Sequence, residues 1–378
     1  MLADTDAGNV VTGVQAGAQW GYRLLPLLLL IPMLYMVQEL TVRLGICTGR
    51  GHAELIRERF GVGWAWLSTA GLAAATIGSL VTNSPEWRGS ENSMACRRSG
   101  PARCRCHRLY RRVERIAIVI GLFELAFFAV AWAAQPSLET LAKDAVDLPL
   151  GNREFLFLVA AVIGAVFNPW MIFYQQSATA NKRLQPDDLE AARWDTAVGA
   201  VLTQCLTGAV LIAAAATLAS SGASANIGSV GDISVALSPL LGEDVGLLFF
   251  SAGVLGASLV AAIVSSLALA WGVGEVSGYR RSLEFRPFEA KWFYGVYAAC
   301  VVGAAALVWF VPDLVWLNIA AQVLNAFLLP LVIGFLLALA VKTLPEPMRP
   351  RGFYLWILIG ICAGVIALGL YGGVSGLL

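Results

Sequence analysis

Three groups of polar residues stand inside an otherwise apolar chain, and their types and spacing are those of a binding site. The first, Asp6-Ala7-Gly8-Asn9, sets a carboxylate and a carboxamide three residues apart at the edge of a long apolar run. An ionisable residue at the edge of a membrane-depth segment marks a functional site by default. Gly8 between them lets the backbone leave helical geometry. The rival reading is structural, since Asp and Asn are preferred helix N-caps and either could simply open the first helix. The second group is Val166-Phe167-Asn168-Pro169-Trp170-Met171, in the middle of the apolar run 155–180. Pro169 lacks a backbone donor and clashes with the preceding turn, which predicts a helix break there, and broken backbone at membrane depth is tolerated where it lines a cavity. A plain kink is the alternative. The third group is Asn318, Gln322 and Asn325, whose spacing places them on one helix face. Buried amides must find partners, and here a ligand role and interhelical glue worth about 1 kcal/mol weigh equally.

The elements that must position these groups are membrane helices. Of the 378 residues, 58% are hydrophobic and 13% charged. A soluble domain carries about 25% charged residues, so the chain reads as an all-α, multi-pass membrane protein. Its net charge of +1 provides no basic field for nucleic acid. Seven Cys in so long a chain do not form a secreted disulfide framework. Cys47, Cys205, Cys300 and Cys362 lie singly in or beside apolar runs and act as small hydrophobes. No cleavable signal peptide is expected, because no Lys or Arg precedes the first apolar run.

Apolar runs occupy 9–20, 24–46, 62–82, 113–134, 155–180, 195–219, 246–278, 291–311, 314–341 and 353–376. A spanning helix needs about 20 such residues, so 9–20 is too short to cross alone. The interruptions at Gly8 and Pro169 open the two halves of the chain. Paired interruptions of this kind point to the substrate site of an inverted-repeat transporter. The polar Glu124 and Glu275 lie within spans, each readable as a paired structural carboxylate or a vestibule group, and Gly253-Val254-Leu255-Gly256-Ala257-Ser258 reads as a close-packing surface.

Short cytoplasmic loops collect Lys and Arg. From residue 113 onward basic loops (181–194, 279–291, 342–352) alternate with loops poor in them (135–154, 220–244, 311–314), which predicts a cell-membrane protein with its basic loops cytoplasmic. One step breaks the alternation, because only 62–82 separates the basic stretches 43–59 and 97–115. A span is expected between 83 and 112, where the chain instead reads Asn-Ser-Pro-Glu-Trp-Arg-Gly-Ser-Glu-Asn and then Cys96, Arg97, Arg98, Cys104, Arg105, Cys106 and His107. A zinc or redox loop would use Cys96, Cys104, Cys106 and His107, but it lacks the spaced pairs of an ordinary zinc site. A real loop would break the charge pattern. A locally shifted reading frame accounts best for a composition foreign to both flanks.

Asp6-Ala7-Gly8-Asn9-Val10-Val11-Thr12-Gly13, followed by Gly21-Tyr22-Arg23-Leu24-Leu25, Arg43-Leu44-Gly45-Ile46-Cys47-Thr48-Gly49 and Ala53-Glu54, resembles the first-helix signature and its continuation in the NRAMP divalent-metal transporters. Asn168-Pro169-Trp170 falls where that family has Met-Pro-His. The resemblance runs to the C-terminus and is interrupted near 83–110. It implies a LeuT-like inverted repeat, with 1–134 as the first repeat, 155–341 as the second and 353–378 as an extra span. It also implies a half-helix before the first break and a fourth span, both of which are missing here, since only five residues precede Asp6. Carried over residue by residue, the metal donors become Asp6, Asn9, the Ala165 carbonyl, Asn168 and Gln322, with Asn325 beside it on the same face.

The departures refine the expectation. Asn168 replaces a soft thioether by a hard oxygen donor, and such donors suit Mg²⁺ and Mn²⁺. Mg²⁺ sheds water reluctantly, so a site with few oxygens suits a partly hydrated ion. Trp170 stands at the family's His, while Leu80 and Asn83 stand at its acidic pair. The titratable relay for proton symport is thereby largely removed, a pattern similar to the NRAMP-related magnesium transporters. The expected activity is transport of divalent cations without proton coupling. Metal is cargo rather than cofactor, the bilayer is the other partner, and no enzyme activity is expected. The rivals are a proton-coupled Mn²⁺/Fe²⁺ symporter, a LeuT-like amino-acid carrier, a membrane enzyme built on Cys96–His107, and an inactive truncated or frameshifted chain.

Overall fold

The computed structural model describes residues 6–83, 125–221, 243–283, 285, 287–310 and 314–377. They form helices α1 (Ala7–Trp20), α2 (Ile31–Thr48), α3 (His52–Phe60), α4 (Val62–Thr82), α5 (Ala126–Ala133), α6 (Leu138–Asp144), α7 (Arg153–Val166), α8 (Pro169–Lys182), α9 (Leu189–Ser221), α10 (Glu243–Ser277), α11 (Lys291–Phe310), α12 (Leu314–Thr343) and α13 (Gly352–Leu377). A 3-10 turn, Leu25–Leu30, leads into α2.

Among the described residues eight segments are long and apolar enough to cross a membrane. They coincide with eight of the ten apolar runs. The ninth, at 9–20, appears as the 14-residue α1, too short to cross alone. The tenth, 113–134, is described only from residue 125. Glu124 and the anomalous stretch with Cys96, Cys104, Cys106 and His107 lie outside the described residues. Two short helices were missed in segments read as loops. α3 carries Glu54 in its first turn and Arg57 and Arg59 in its last, the charge order that favours the helix dipole. α6 is opened by Ser137, whose hydroxyl accepts from Thr140 N.

The run 155–180 is two half-helices rather than one. α7 opens on Asn152, whose side chain accepts from Glu154 N and Phe155 N, and ends at Phe167 with φ −113° and ψ 65°. Asn168 is extended (φ −63°, ψ 121°), and Pro169 begins α8, where a missing N–H does no harm.

Close backbone contacts bring the broken helices to α12. Gly164 on α7 faces the Gln322 carbonyl with no room for a Cβ, the small-residue approach that lets membrane helices touch. α1 lies against α9, while α4, α10 and α11 pack together on the other side of the site. The outermost helices present apolar side chains outward, with Trp292 on α11 and Phe353 and Trp356 on α13 all more than 70% exposed. In a bilayer such residues meet lipid and carry no burial penalty.

Candidate functional site

Asp6 turns out to serve both readings of its residue type. It is wholly buried, and its backbone is extended (φ −87°, ψ 169°) just before α1. Its Oδ1 accepts from Asn9 N at 2.7 Å, which is an N-cap bond. Its Oδ2 receives a long bond, 3.4 Å, from Ser79 Oγ on α4, and the Asn83 side chain also bonds to the carboxylate. No ion pair reaches Asp6 among the described residues. The carboxylate is thus held by neutral donors alone.

The start of α1 is gripped from two sides. Ala7 N, one of the orphan donors at the helix start, donates to Asn83 Oδ1 at 3.0 Å. Asn83 is fixed in turn by its Nδ2, which donates to Ser79 O at 2.7 Å. On the other side the Gly8 carbonyl accepts from Thr12 Oγ1 at 2.7 Å and from Asn318 Nδ2 at 3.2 Å. Asn318 Nδ2 also donates to Thr12 Oγ1 at 3.1 Å. Gly8 faces Gln322 Nε2 and Asn318 Oδ1 so closely that a Cβ there would collide with the Gln322 amide.

At the second break the proline determines the local chemistry. The Ala165 carbonyl would normally accept from the N–H four residues on, and that residue is Pro169. Asn168 Nδ2 donates to the stranded Ala165 carbonyl instead, at 3.0 Å. Asn168 Oδ1 is left facing α12, where Asn325 Nδ2 donates to it at 2.9 Å and also to Gln322 Oε1 at 2.9 Å. The face of α12 bearing Asn318, Gln322 and Asn325 therefore bridges the breaks, with Asn318 and Gln322 meeting Gly8 and Asn325 meeting Asn168.

All six sequence-derived site residues are buried at this junction. Asp6, Asn9, Ala165, Asn168, Gln322 and Asn325 are each 5% exposed or less. Direct bonds join Asp6 to Asn9, Ala165 to Asn168, and Asn168 through Asn325 to Gln322. Ser79 and Thr12 were not anticipated. The signal for Thr12 was its place four residues after Gly8, and for Ser79 its place one turn before Asn83. Trp170 is fully buried, and Leu80 is a buried apolar group.

The donor set suits a hard cation. No cluster of three or more His, Cys, Asp or Glu occurs among the described residues. The junction offers one carboxylate, several amide oxygens and a backbone carbonyl, the oxygen ligands that suit Mg²⁺, Ca²⁺ and Mn²⁺. Two of those oxygens, Asn318 Oδ1 and Asn325 Oδ1, are buried without a protein partner. Buried polar atoms are normally satisfied, so acceptors facing this junction fit a ligand that brings positive charge or O–H donors.

Residues 1–84 and 105–375 match the family model for natural resistance-associated macrophage protein-like proteins. The break in the match falls inside the stretch of foreign composition. Among curated relatives, the divalent metal cation transporter MntH of Klebsiella pneumoniae (strain ATCC 700721) is 30% identical over 287 residues, covering 72% of this chain and 68% of that protein. MntH of Yersinia enterocolitica is 30% identical over 295 residues with the same coverage. The crystal structure of the Eremococcus coleocola manganese transporter in complex with an aromatic bis-isothiourea compound superposes with a TM-score of 0.75 over 99% of this chain and 84% of that one, at 16% identity. A mutant of the same transporter gives a TM-score of 0.69 at 16% identity over 98% of this chain and 83% of that one. The fold is the LeuT-like arrangement of these transporters, and this multi-pass membrane chain belongs to the Nramp family, whose matched relatives are divalent metal transporters.

Proposed function

We propose that this chain carries divalent cations, Mg²⁺ and Mn²⁺, across the cell membrane by alternating access and without proton coupling. The observation that carries the reading is the junction itself, where two helix breaks are joined by the amide face of α12 around a single uncompensated carboxylate, Asp6. Asp6 supplies the formal charge. Asn9, Asn168, Gln322, Asn325 and the Ala165 carbonyl supply oriented dipoles, and water completes the shell of an ion that dehydrates reluctantly. The manganese and divalent-metal names of the relatives favour the same class of cargo.

Uncoupled transport is supported by the groups around the carboxylate. Those that bond to or grip its segment are Asn9, Ser79 and Asn83, all neutral. A proton relay needs titratable neighbours, and Leu80 and Asn83 provide none. In this reading 1–134 and 155–341 are the two repeats, 353–378 is the added span, and the loops rich in Lys and Arg face the cytoplasm.

The deciding experiment is uptake into liposomes. Asp6→Asn retains an N-cap residue of about equal quality but removes the charge. Mg²⁺ and Mn²⁺ uptake is expected to fall to background while the folded yield is kept. Uptake at the native rate would overturn the assignment.

A further inference from the structure

Glu275, a buried carboxylate with no part in the ion site, joins three elements at the end of the bundle that carries the basic loops. It lies two residues before the end of α10 and is 2% exposed. Its Oε1 accepts from Ser177 Oγ of α8 at 2.6 Å. Its Oε2 accepts from Ala53 N at 2.9 Å and from Glu54 N at 3.4 Å, in the first turn of α3. A carboxylate there answers the unpaired N–H groups and the positive end of the helix dipole. Gly51 passes so close to this carboxylate that a Cβ could not fit.

A second contact lies beside the first. His52, wholly buried, sets its Nδ1 2.8 Å from Gln176 Oε1. Gln176 Nε2 donates to Arg50 O at 3.2 Å, and the His52 ring meets Phe173 edge-on at 4.7 Å. Arg281 closes the outside of the joint through an ion pair with Glu54. Phe173, Gln176 and Ser177 share one face of α8, so that whole face is docked on α3 and the end of α10.

The neighbouring face of α8 is held differently. Gly45 of α2 lies so near α8 that a Cβ there would sit 2.8 Å from Thr179 Cβ and 2.9 Å from Gln176 O. Close contact of this kind has no substitute partner, whereas hydrogen bonds exchange readily for water. Tyr174 of α8 also stacks on Trp271 of α10 at 5.5 Å, so packing holds α8 to α2 and α10 alike, and the polar bonds to Glu275 and His52 are the part of the joint that water can replace. α8 is also the half-helix whose first turn follows Asn168.

We propose that the Glu275–Ser177 bond, seconded by His52–Gln176, is a latch that holds α8 against α3 and α10, closing the basic-loop side of the ion path until it opens to release the ion there. The proposal rests on the transport reading above. Glu275 acts through α8 and touches no ion, so it is a positioning residue.

The test uses the full chain in membrane vesicles of defined orientation. Ala53→Cys places a thiol in the joint while leaving the Ser177 hydroxyl and the Ala53 backbone N–H in place, and its reaction with an impermeant maleimide is followed by mass spectrometry of that peptide. Losing the charged acceptor weakens the joint by about one charge-assisted hydrogen bond, so adding Glu275→Gln is expected to raise the labelling rate about tenfold. The increase should appear only from the basic-loop face, and Glu275→Asp should reverse much of it. Equal rates in the two backgrounds, or an increase from both faces, would overturn the latch. Should Glu275→Gln fail to fold, Ser177→Ala serves instead, and the Ala53 and Glu54 amides should exchange hydrogen about tenfold faster than in the native chain. Unchanged exchange would overturn the latch equally. Thermal stabilisation of the native chain by Mn²⁺ is measured alongside. Its absence would count against the transport reading, while the labelling and exchange results still judge the joint.

Discussion

The Asn325 carboxamide donates to Asn168 Oδ1 at 2.9 Å, and this bond ties the second helix break to the helix that also grips the first. Its partner bond, to Gln322 Oε1 at 2.9 Å, leaves Gln322 Nε2 facing Gly8. A chain of neutral amides thus sets the spacing of the two breaks. Removing one member leaves a buried acceptor unpaired, which costs about 1–3 kcal/mol.

Asn325→Ala should consequently weaken Mn²⁺ binding by about one to two orders of magnitude. Isothermal titration on the purified chain measures it. Native affinity in the variant would mean that the bridge is helix-to-helix glue alone.

Asn168 bears on selectivity. Asn168→Met replaces an oxygen donor by a polarisable thioether, which favours softer metals. Competition uptake should show the Mg²⁺/Cd²⁺ ratio falling, and an unaltered ratio would remove Asn168 from the selectivity account. The substitution also frees the Ala165 carbonyl from its 3.0 Å bond to the amide, so some loss of total uptake accompanies the shift.

Proton coupling is tested directly with a pH-sensitive dye inside the liposomes. Mg²⁺ or Mn²⁺ entry should leave lumenal pH unchanged. Acidification that tracks metal entry would revive the symporter reading and would require a titratable path that the neutral Asn83 and Ser79 do not supply.

His52, on α3 between two spans, predicts an acid-sensitive fold. Burial away from water pushes its pKa down from 6.5 to about 4, only partly offset by the bond to Gln176. The folded value lies below the unfolded one, so the unfolded chain binds the extra proton first as pH falls. Stability from this group is complete above pH 6.5 and is lost on the way down to about pH 4, a total of about 3 kcal/mol. Thermal midpoints in detergent should drop through that window in the native chain and less steeply in His52→Gln. Parallel curves for the two proteins would show that His52 does not set the acid limit.

Much of the architecture was legible along the chain. The apolar runs marked every described span because a bilayer tolerates no unsatisfied backbone, so each crossing must be a long apolar helix. Pro169 announced the second break, since a missing N–H strands a particular carbonyl wherever it occurs. Five of the six candidate residues stood out for a related reason, that polar groups at membrane depth are too costly to persist without a partner, whereas Ala165 came only from the family resemblance. Local periodicity could not reveal who partners whom. That Asp6 caps α1 and also meets Ser79 of α4, that Asn83 holds Ala7 N, and that Asn325 reaches Asn168 depend on helices far apart in sequence being brought into register. The same holds for Glu275, one more polar residue late in a span until the fold set the first turn of α3 and Ser177 against it. Composition and spacing determine which segments cross and where they break. Tertiary packing alone decides which buried acceptors are satisfied by protein and which are left open.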